Sequence, residues 1–254
     1  MTEPTLPSQL SRPPLATYEG LAKMIDHSLL RPELNDDQID AGCRLAVEYN
    51  VASVCGRPSD ADRIVHLLEG STVAPSSVVG FPHGGATMAV KLYETRDMLR
   101  RGITEVDMVL NIGKLLSRQF QYVEAEIDEI ARACHDAGAI VKVIFENAYL
   151  TDDLKVAACE VCMRCRADFV KTSTGFAPSG ATPADLTLMK RTVGNICRVK
   201  AAGGVRTLDA LLAVMDLGVT RIGATATEAI IEEFRARKAG QTPAAAAAAP
   251  DGGY

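Results

Sequence analysis

The segment DFVKTSTGF (168–176) opens on an apolar pair, Phe169 and Val170, and stops at a lysine. A short apolar run closed by small residues and a glycine reads as a buried strand. Lysine is among the residues least often fully buried. Lys171 is therefore either a strand end reaching solvent or an amine held in a pocket. A helical pattern precedes this strand, and another strand follows it after a further helix-length stretch. Moving outward, the same unit recurs along the chain. The strand candidates are KMIDHSLL (23–30), VASVCG (51–56), SSVVGFP (76–82), EVDMVLN (105–111), IVKVIFE (140–146), DFVKTST (168–174), ICRVKAAGG (196–204) and TRIGAT (220–225).

Helical periodicity between them includes 36–49, 86–101, 118–137, 152–166 and 207–217. Thr151 stands at an N-cap position with acids in the following turn, and Asn or Gly closes several helices, as in EYNV, LEGS, RRGIT, DAGAI and DLGVT. Strictly alternating units with short apolar strands predict a parallel sheet covered by helices. Eight units in a chain of 254 residues match a closed (β/α)₈ TIM barrel. A doubly wound open sheet is the alternative, but DHSLLRPEL, after the first strand, lacks the glycines of a dinucleotide fingerprint. The expected organisation is an N-terminal arm over 1–17, a barrel over 18–238, and a flexible Ala/Pro/Gly-rich tail over 239–254 that ends in an aromatic, Tyr254.

The chain is 47% hydrophobic with a net charge of −5 and no long basic run, which disfavours nucleic acid or an anionic membrane as partner. Neither a signal peptide nor an apolar stretch of membrane-spanning length is visible. Seven cysteines, an odd number in a chain this long, point to reduced thiols and a cytoplasmic location. CEVCMRC places Cys159, Cys162 and Cys165 at iron–sulfur-like spacing, but the fourth cysteine and the proline of that run are missing. The three read as packing residues on a helix. His66 and His135 lie alone on helices, and nothing pairs His27 with His83 into a metal site.

Barrel enzymes carry catalytic side chains at the C-terminal ends of their strands. Here those ends supply Asp26, Cys55, Asp107, Lys142, Glu146, Lys171 and Lys200, with Gly223 and Thr225 at strand eight. A barrel interior is normally filled by branched apolar residues, so this gathering reads as a site. Lys171 and Lys200 lie on consecutive strands, about 4.8 Å apart. Burial and a like-charged neighbour both disfavour an ammonium, so one of the pair is expected to be a neutral nucleophile able to form a Schiff base. Asp107 needs a partner in a buried strand, and Lys200 is the expected one. AAGGVRT and RIGAT, with Gly203, Gly204 and Gly223, have the glycine content and position of a phosphate cradle after strands seven and eight.

Taken together, DFVKTSTGF, VKAAGGVRT, EVDMVLNIG, VVGFPHGGAT and RIGAT resemble the deoxyribose-phosphate aldolase family, over about residues 23–233 and in the family's order. The resemblance implies a class I aldolase that needs neither metal nor cofactor. Such an enzyme reversibly cleaves 2-deoxy-D-ribose 5-phosphate to D-glyceraldehyde 3-phosphate and acetaldehyde. By the same resemblance Lys171 is the Schiff-base lysine, Lys200 the second lysine that activates it, Asp107 the proton relay and Asp26 an organiser of the pocket. Gly175, Gly203, Gly204 and Gly223 then form the phosphate cradle, Thr172 and Thr225 add hydroxyls, Cys55 lies by the aldehyde, and Tyr254 assists proton transfer. Partners are small-molecule aldehydes and sugar phosphates, with a homodimer as a candidate assembly. Two departures predict a weaker demand for phosphate: Phe176 stands where some members have lysine, and Thr225–Ala226 where some have two serines. A metal-dependent barrel aldolase or isomerase and a non-catalytic phosphate-binding barrel are the rival readings.

Overall fold

The computed structural model describes residues 17–241, so the N-terminal arm before Thr17 and the predicted catalytic Tyr254 lie outside the described residues. Among the described residues eight parallel strands close into a barrel in chain order: β1 (Ile25–Leu29), β2 (Ser53–Gly56), β3 (Ala74–Val79), β4 (Glu105–Val109), β5 (Ile140–Ile144), β6 (Phe169–Lys171), β7 (Arg198–Ala202) and β8 (Arg221–Ala224). The pairing of Asp26 with Gly223 joins β1 to β8. This closure gives the predicted (β/α)₈ barrel and sets aside the open sheet. Seven of the eight predicted runs contain their strand, and β3 starts two residues before its run, at Ala74.

The helices are α1 (Tyr18–Ala22), α2 (Asp36–Glu48), α3 (Ala61–Leu68), α4 (Met88–Arg100), α5 (Ile112–Leu116), α6 (Phe120–Asp136), α7 (Asp152–Arg164), α8 (Pro183–Val193), α9 (Leu208–Asp216) and α10 (Thr227–Lys238). Asn35 and Gln38 form a reciprocal capping box at α2, and Thr87, Thr182 and Thr207 cap α4, α8 and α9. Thr151 does occupy the N-cap of α7, but its hydroxyl donates to Asp153 Oδ1 (2.5 Å) instead of accepting a helix amide. The stops predicted at Asn50 and Gly138 both fall in left-handed backbone, φ 51° and 72°.

The outward faces of the strands, with Val54, Val106, Met108, Val141, Val143, Val199 and Ile222, pack against Ile39, Ile64, Ile127, Ile130, Leu186, Leu211 and Ile230 of the helices, all buried. Each such side chain contributes roughly 1.5–3 kcal/mol by leaving water. This layer carries the stability and leaves the inner layer free to be polar. Cys159, Cys162 and Cys165 are buried members of the same core at α7 and its C-terminal end. Burial raises all three thiols, Cys165 to about 12, as packing residues require. No helix among the described residues is long and apolar enough to cross a membrane.

Candidate active site

Side chains two residues apart on a strand share one face, and this periodicity builds the interior. Glu105 and Asp107 of β4, Phe169 and Lys171 of β6, and Arg198 and Lys200 of β7 are such pairs. Lys171 and Lys200 are direct register partners, so the two predicted lysines are adjacent. Asp107 Oδ2 accepts from both, at 2.7 Å each. The expected Asp107–Lys200 pair is therefore present, but Asp107 is shared with Lys171.

Lys142 of β5 enters the same group. It contacts Asp26 at 2.9 Å, Glu105 at 2.6 Å and Asp107 at 3.0 Å. Asp26 is the hub on the other side, accepting from Lys200 (2.5 Å), Arg221 (2.5 Å) and the Ser53 hydroxyl (2.6 Å). Arg221 reaches Glu105 at 3.0 Å. These contacts link β1, β4, β5, β6, β7 and β8 across the lumen. Asp26, Asp107 and Lys142 are 0% exposed, and Lys171 and Lys200 are 1%. Lys171 is thus no solvent-seeking strand end.

Isolated buried charges of this kind are strongly disfavoured, so the electrostatics are decided by mutual pairing. Burial works to raise the Asp107 carboxyl, but Lys142, Lys171 and Lys200 outweigh it and hold it far below the usual carboxylate range. Lys142, Lys200 and Arg221 do the same for Asp26. Burial opposes the Lys142 ammonium, but Asp107, Asp26 and Glu105 hold it well above the usual lysine value. Within this contact group four cations (Lys142, Lys171, Lys200, Arg221) face three carboxylates (Asp26, Glu105, Asp107). Lys142 touches three carboxylates, Lys200 and Arg221 two each, and Lys171 one. Lys171 therefore has the fewest ion-paired carboxylates of the four cations.

Glu146, beside this group, is bound by Thr174, whose amide donates at 3.2 Å and whose hydroxyl also donates. Burial raises its carboxyl. Cys55 is buried next to Leu30, Val78 and Phe81, and burial, then the Asp107 charge, raises its thiol. It therefore forms part of an apolar wall and is not an activated thiolate. The Thr172 hydroxyl joins β6 to β7, donating to Ala202 O (3.2 Å) and accepting from Ala202 N (3.1 Å).

Gly203, Gly204, Gly223 and Thr225, predicted from two separate loops, line one small cleft with Val205 and Arg206. A Cβ on Gly203 would sit 2.8 Å from Gly180 Cα, and one on Gly180 would sit 2.4 Å from Gly203 O. Only glycines let the β6–α8 and β7–α9 loops meet here. Gly175, also predicted for the cradle, has φ 95° in the loop after β6 but does not line this cleft. The N-cap of α10, Ala226, brings no side-chain cap, so the first amides of that helix keep their donors directed outward.

Glu105 and Arg221 were not singled out from the sequence, although they stand two residues before Asp107 and Gly223 on the same strand faces. Arg206 was passed over inside AAGGVRT.

An eight-stranded barrel with a buried lysine cluster in its lumen and a glycine-lined cleft after β7 and β8 has the parts of a barrel enzyme that works on small molecules with an amine. Residues 21–232 match the family described as DeoC/LacD family aldolase. Deoxyribose-phosphate aldolase of Clostridium perfringens is 50% identical over 214 residues, covering 84% of this chain and 95% of its own. That of Rhodopirellula baltica is 46% identical over 218 residues, covering 86% and 90%. The tetrameric deoxyribose phosphate aldolase of Aeropyrum pernix superposes with a TM-score of 0.81 at 31% identity, covering 88% of this chain and 94% of its own. The chain belongs to the DeoC/LacD aldolase family; it is an aldolase, a carbon–carbon lyase acting on small molecules.

Proposed function

We propose that this aldolase reversibly cleaves 2-deoxy-D-ribose 5-phosphate to D-glyceraldehyde 3-phosphate and acetaldehyde through a Schiff base on Lys171, in the cytoplasm, in the breakdown of deoxyribonucleoside-derived sugar phosphates. The observation that carries the reading is the buried Lys171 amine, whose one ion-paired carboxylate, Asp107, is shared with Lys142 and Lys200. In its neutral form the Nζ lone pair attacks the C1 carbonyl of the open-chain sugar, and loss of water leaves an iminium. The iminium draws electrons from the C2–C3 bond as the C3 hydroxyl gives up its proton. Glyceraldehyde 3-phosphate departs, an enamine remains, protonation at its C2 restores an iminium, and water releases acetaldehyde.

Asp107 stays a carboxylate throughout, so its part is to stabilise the iminium and to steer a proton between Lys200 and a water. Gly203, Gly204, Gly223, Thr225, Arg206 and the uncapped start of α10 supply donors to the phosphate. Phe176 stacks edge-on against Phe81, with ring centroids 5.4 Å apart, and adds no charge to that end. One missing charged contact is worth about 1.5–3 kcal/mol. The expected ratio of kcat/KM for deoxyribose with and without its phosphate is therefore below about 10⁴; a larger ratio would contradict the phosphate reading.

The direct test is borohydride reduction in the presence of acetaldehyde followed by peptide mass mapping. The expected product is an ethyl group on Lys171. Absence of any adduct in active enzyme, or inhibition by chelators in its place, rejects the Schiff base.

A further inference from the structure

The reactive end of the barrel and its opposite mouth belong to one charge network. Arg221 opens β8 and Glu105 opens β4, so both lie at the N-terminal mouth, away from the cleft that receives substrate. Neither touches Lys171. The connection runs from Arg221 to Asp26 (2.5 Å), to Lys200 (2.5 Å), to Asp107 (2.7 Å) and to Lys171 (2.7 Å), with Lys142 bridging Glu105, Asp26 and Asp107. Phe169 stands inward on β6, two residues before Lys171, and is 1% exposed. Arg198 lies 3.9 Å and Arg221 5.4 Å from its ring centroid. The ring and the two guanidinium groups close the lower lumen, and a water-poor interior lets charges act over longer distances.

We infer that Arg221 and Glu105 are positioning residues that set the reactivity of the Lys171 amine from the far mouth of the barrel, by fixing the charge count of the cluster. Arg221 adds one positive charge and Glu105 one negative charge to the network that reaches Lys171. Removing the Arg221 charge takes away one repulsion on a cation at Lys171, so the neutral, nucleophilic form becomes harder to reach. Removing the Glu105 charge has the opposite effect. The other groups facing Lys171 do not obscure this. The same residues face Lys171 in every variant: Asp107 of β4, Asp26 of β1, Lys142 of β5, Cys55 of β2, Lys200 of β7 and Glu146 after β5, so each single charge removal differs from wild type by one charge at the far mouth alone.

The inference rests on the Schiff-base reading, and its test separates the two. The rate of borohydride-trapped adduct formation with acetaldehyde, and kcat/KM for the sugar phosphate, are measured against pH. Across a barrel lumen one charge is expected to move the acid limb by about one pH unit, a tenfold change in rate on that limb. Arg221→Met moves the limb to higher pH, Glu105→Gln moves it to lower pH, and the double variant returns it close to wild type although its stability is lowest. Arg221→Lys keeps the wild-type profile. Should Arg221→Met not fold, Glu105→Gln against wild type carries the same test with opposite sign. A purely structural plug would lower Tm in each variant with superimposable profiles, and that result overturns the inference. Absence of a Lys171 adduct in the wild-type enzyme would instead remove the Schiff-base reading itself.

Discussion

Lys91 in the helical layer and Lys171 inside the barrel are 0% and 1% exposed, and they differ in counter-charge. Lys91 of α4 has a carboxylate of its own, Glu126 of α6 at 2.9 Å, and also donates to Val109 O at 2.8 Å. The second oxygen of Glu126 accepts from Asn111 N at 3.0 Å. The pair is balanced and ties α4 and α6 to the end of β4. Burial still lowers the Lys91 amine and raises the Glu126 carboxyl, so the pair stands against its desolvation. Lys171 shares its single carboxylate with two other lysines. Burial alone does not mark a lysine as reactive; the local ratio of cations to carboxylates does.

The comparison breaks most sharply at Lys171 itself. Lys171→Met should lower kcat by about 10⁴-fold or more, since no other group replaces a covalent nucleophile. The same change removes a buried cation and leaves Asp107 still paired with Lys142 and Lys200, so Tm should stay level or rise. Full turnover in this variant, or a loss of several degrees in Tm, would show that the amine is a structural cation like Lys91.

Lys91→Met is the converse experiment. It strands Glu126 as an uncompensated buried charge and is expected to destabilise by about 3–5 kcal/mol. Replacing both partners, as Lys91→Met with Glu126→Leu, should return most of that stability, because an apolar pair of similar volume carries no desolvation penalty. Urea unfolding of the three proteins reads the difference. Equal stability of Lys91→Met and wild type would mean that the pair is not what closes this layer.

The sequence exposes one of these two lysines and hides the other, for a physical reason. Lys171 ends an apolar strand, so its neighbours along the chain announce the anomaly. Lys91 lies on a helix, where a lysine every few residues is ordinary and only packing shows which one turns inward. The same holds within the site. Asp26, Asp107 and Lys200 are readable as polar residues at strand ends, whereas the sharing of Asp107 among three lysines depends on the barrel, which turns the inner faces of β4, β5, β6 and β7 into one lumen. Glu105 and Arg221 were concealed at the strand starts, the end of the barrel where sequence reasoning expects stability and not chemistry. The Thr172 hydroxyl looked like a substrate donor in TSTG, but the β6–β7 junction engages it through Ala202.

A third buried group extends the comparison to the case with no counter-charge. His27 of β1 is 6% exposed, and its Nδ1 lies 2.8 Å from Thr227 Oγ1. Burial lowers its pKa from the ordinary 6.5 to about 4. The folded ring therefore stays neutral where the unfolded one takes up a proton. Above pH 6.5 this has no effect on stability. As pH falls from 6.5 towards 4 the unfolded state binds the extra proton, and the folded protein loses up to about 3 kcal/mol, at 1.36 kcal/mol per pH unit. Asp26 and Asp107 act in a separate window. Their folded pKa values are depressed, so their contribution is complete above the unfolded carboxylate value near 3.8 and declines only below it. His27→Gln keeps a hydrogen-bonding partner for Thr227 and cannot titrate. The difference in unfolding free energy between wild type and this variant should change by about 3 kcal/mol between pH 7 and pH 4 and then level off. Parallel curves across that range would mean that the imidazole is charged in the fold, which would require a carboxylate beside it.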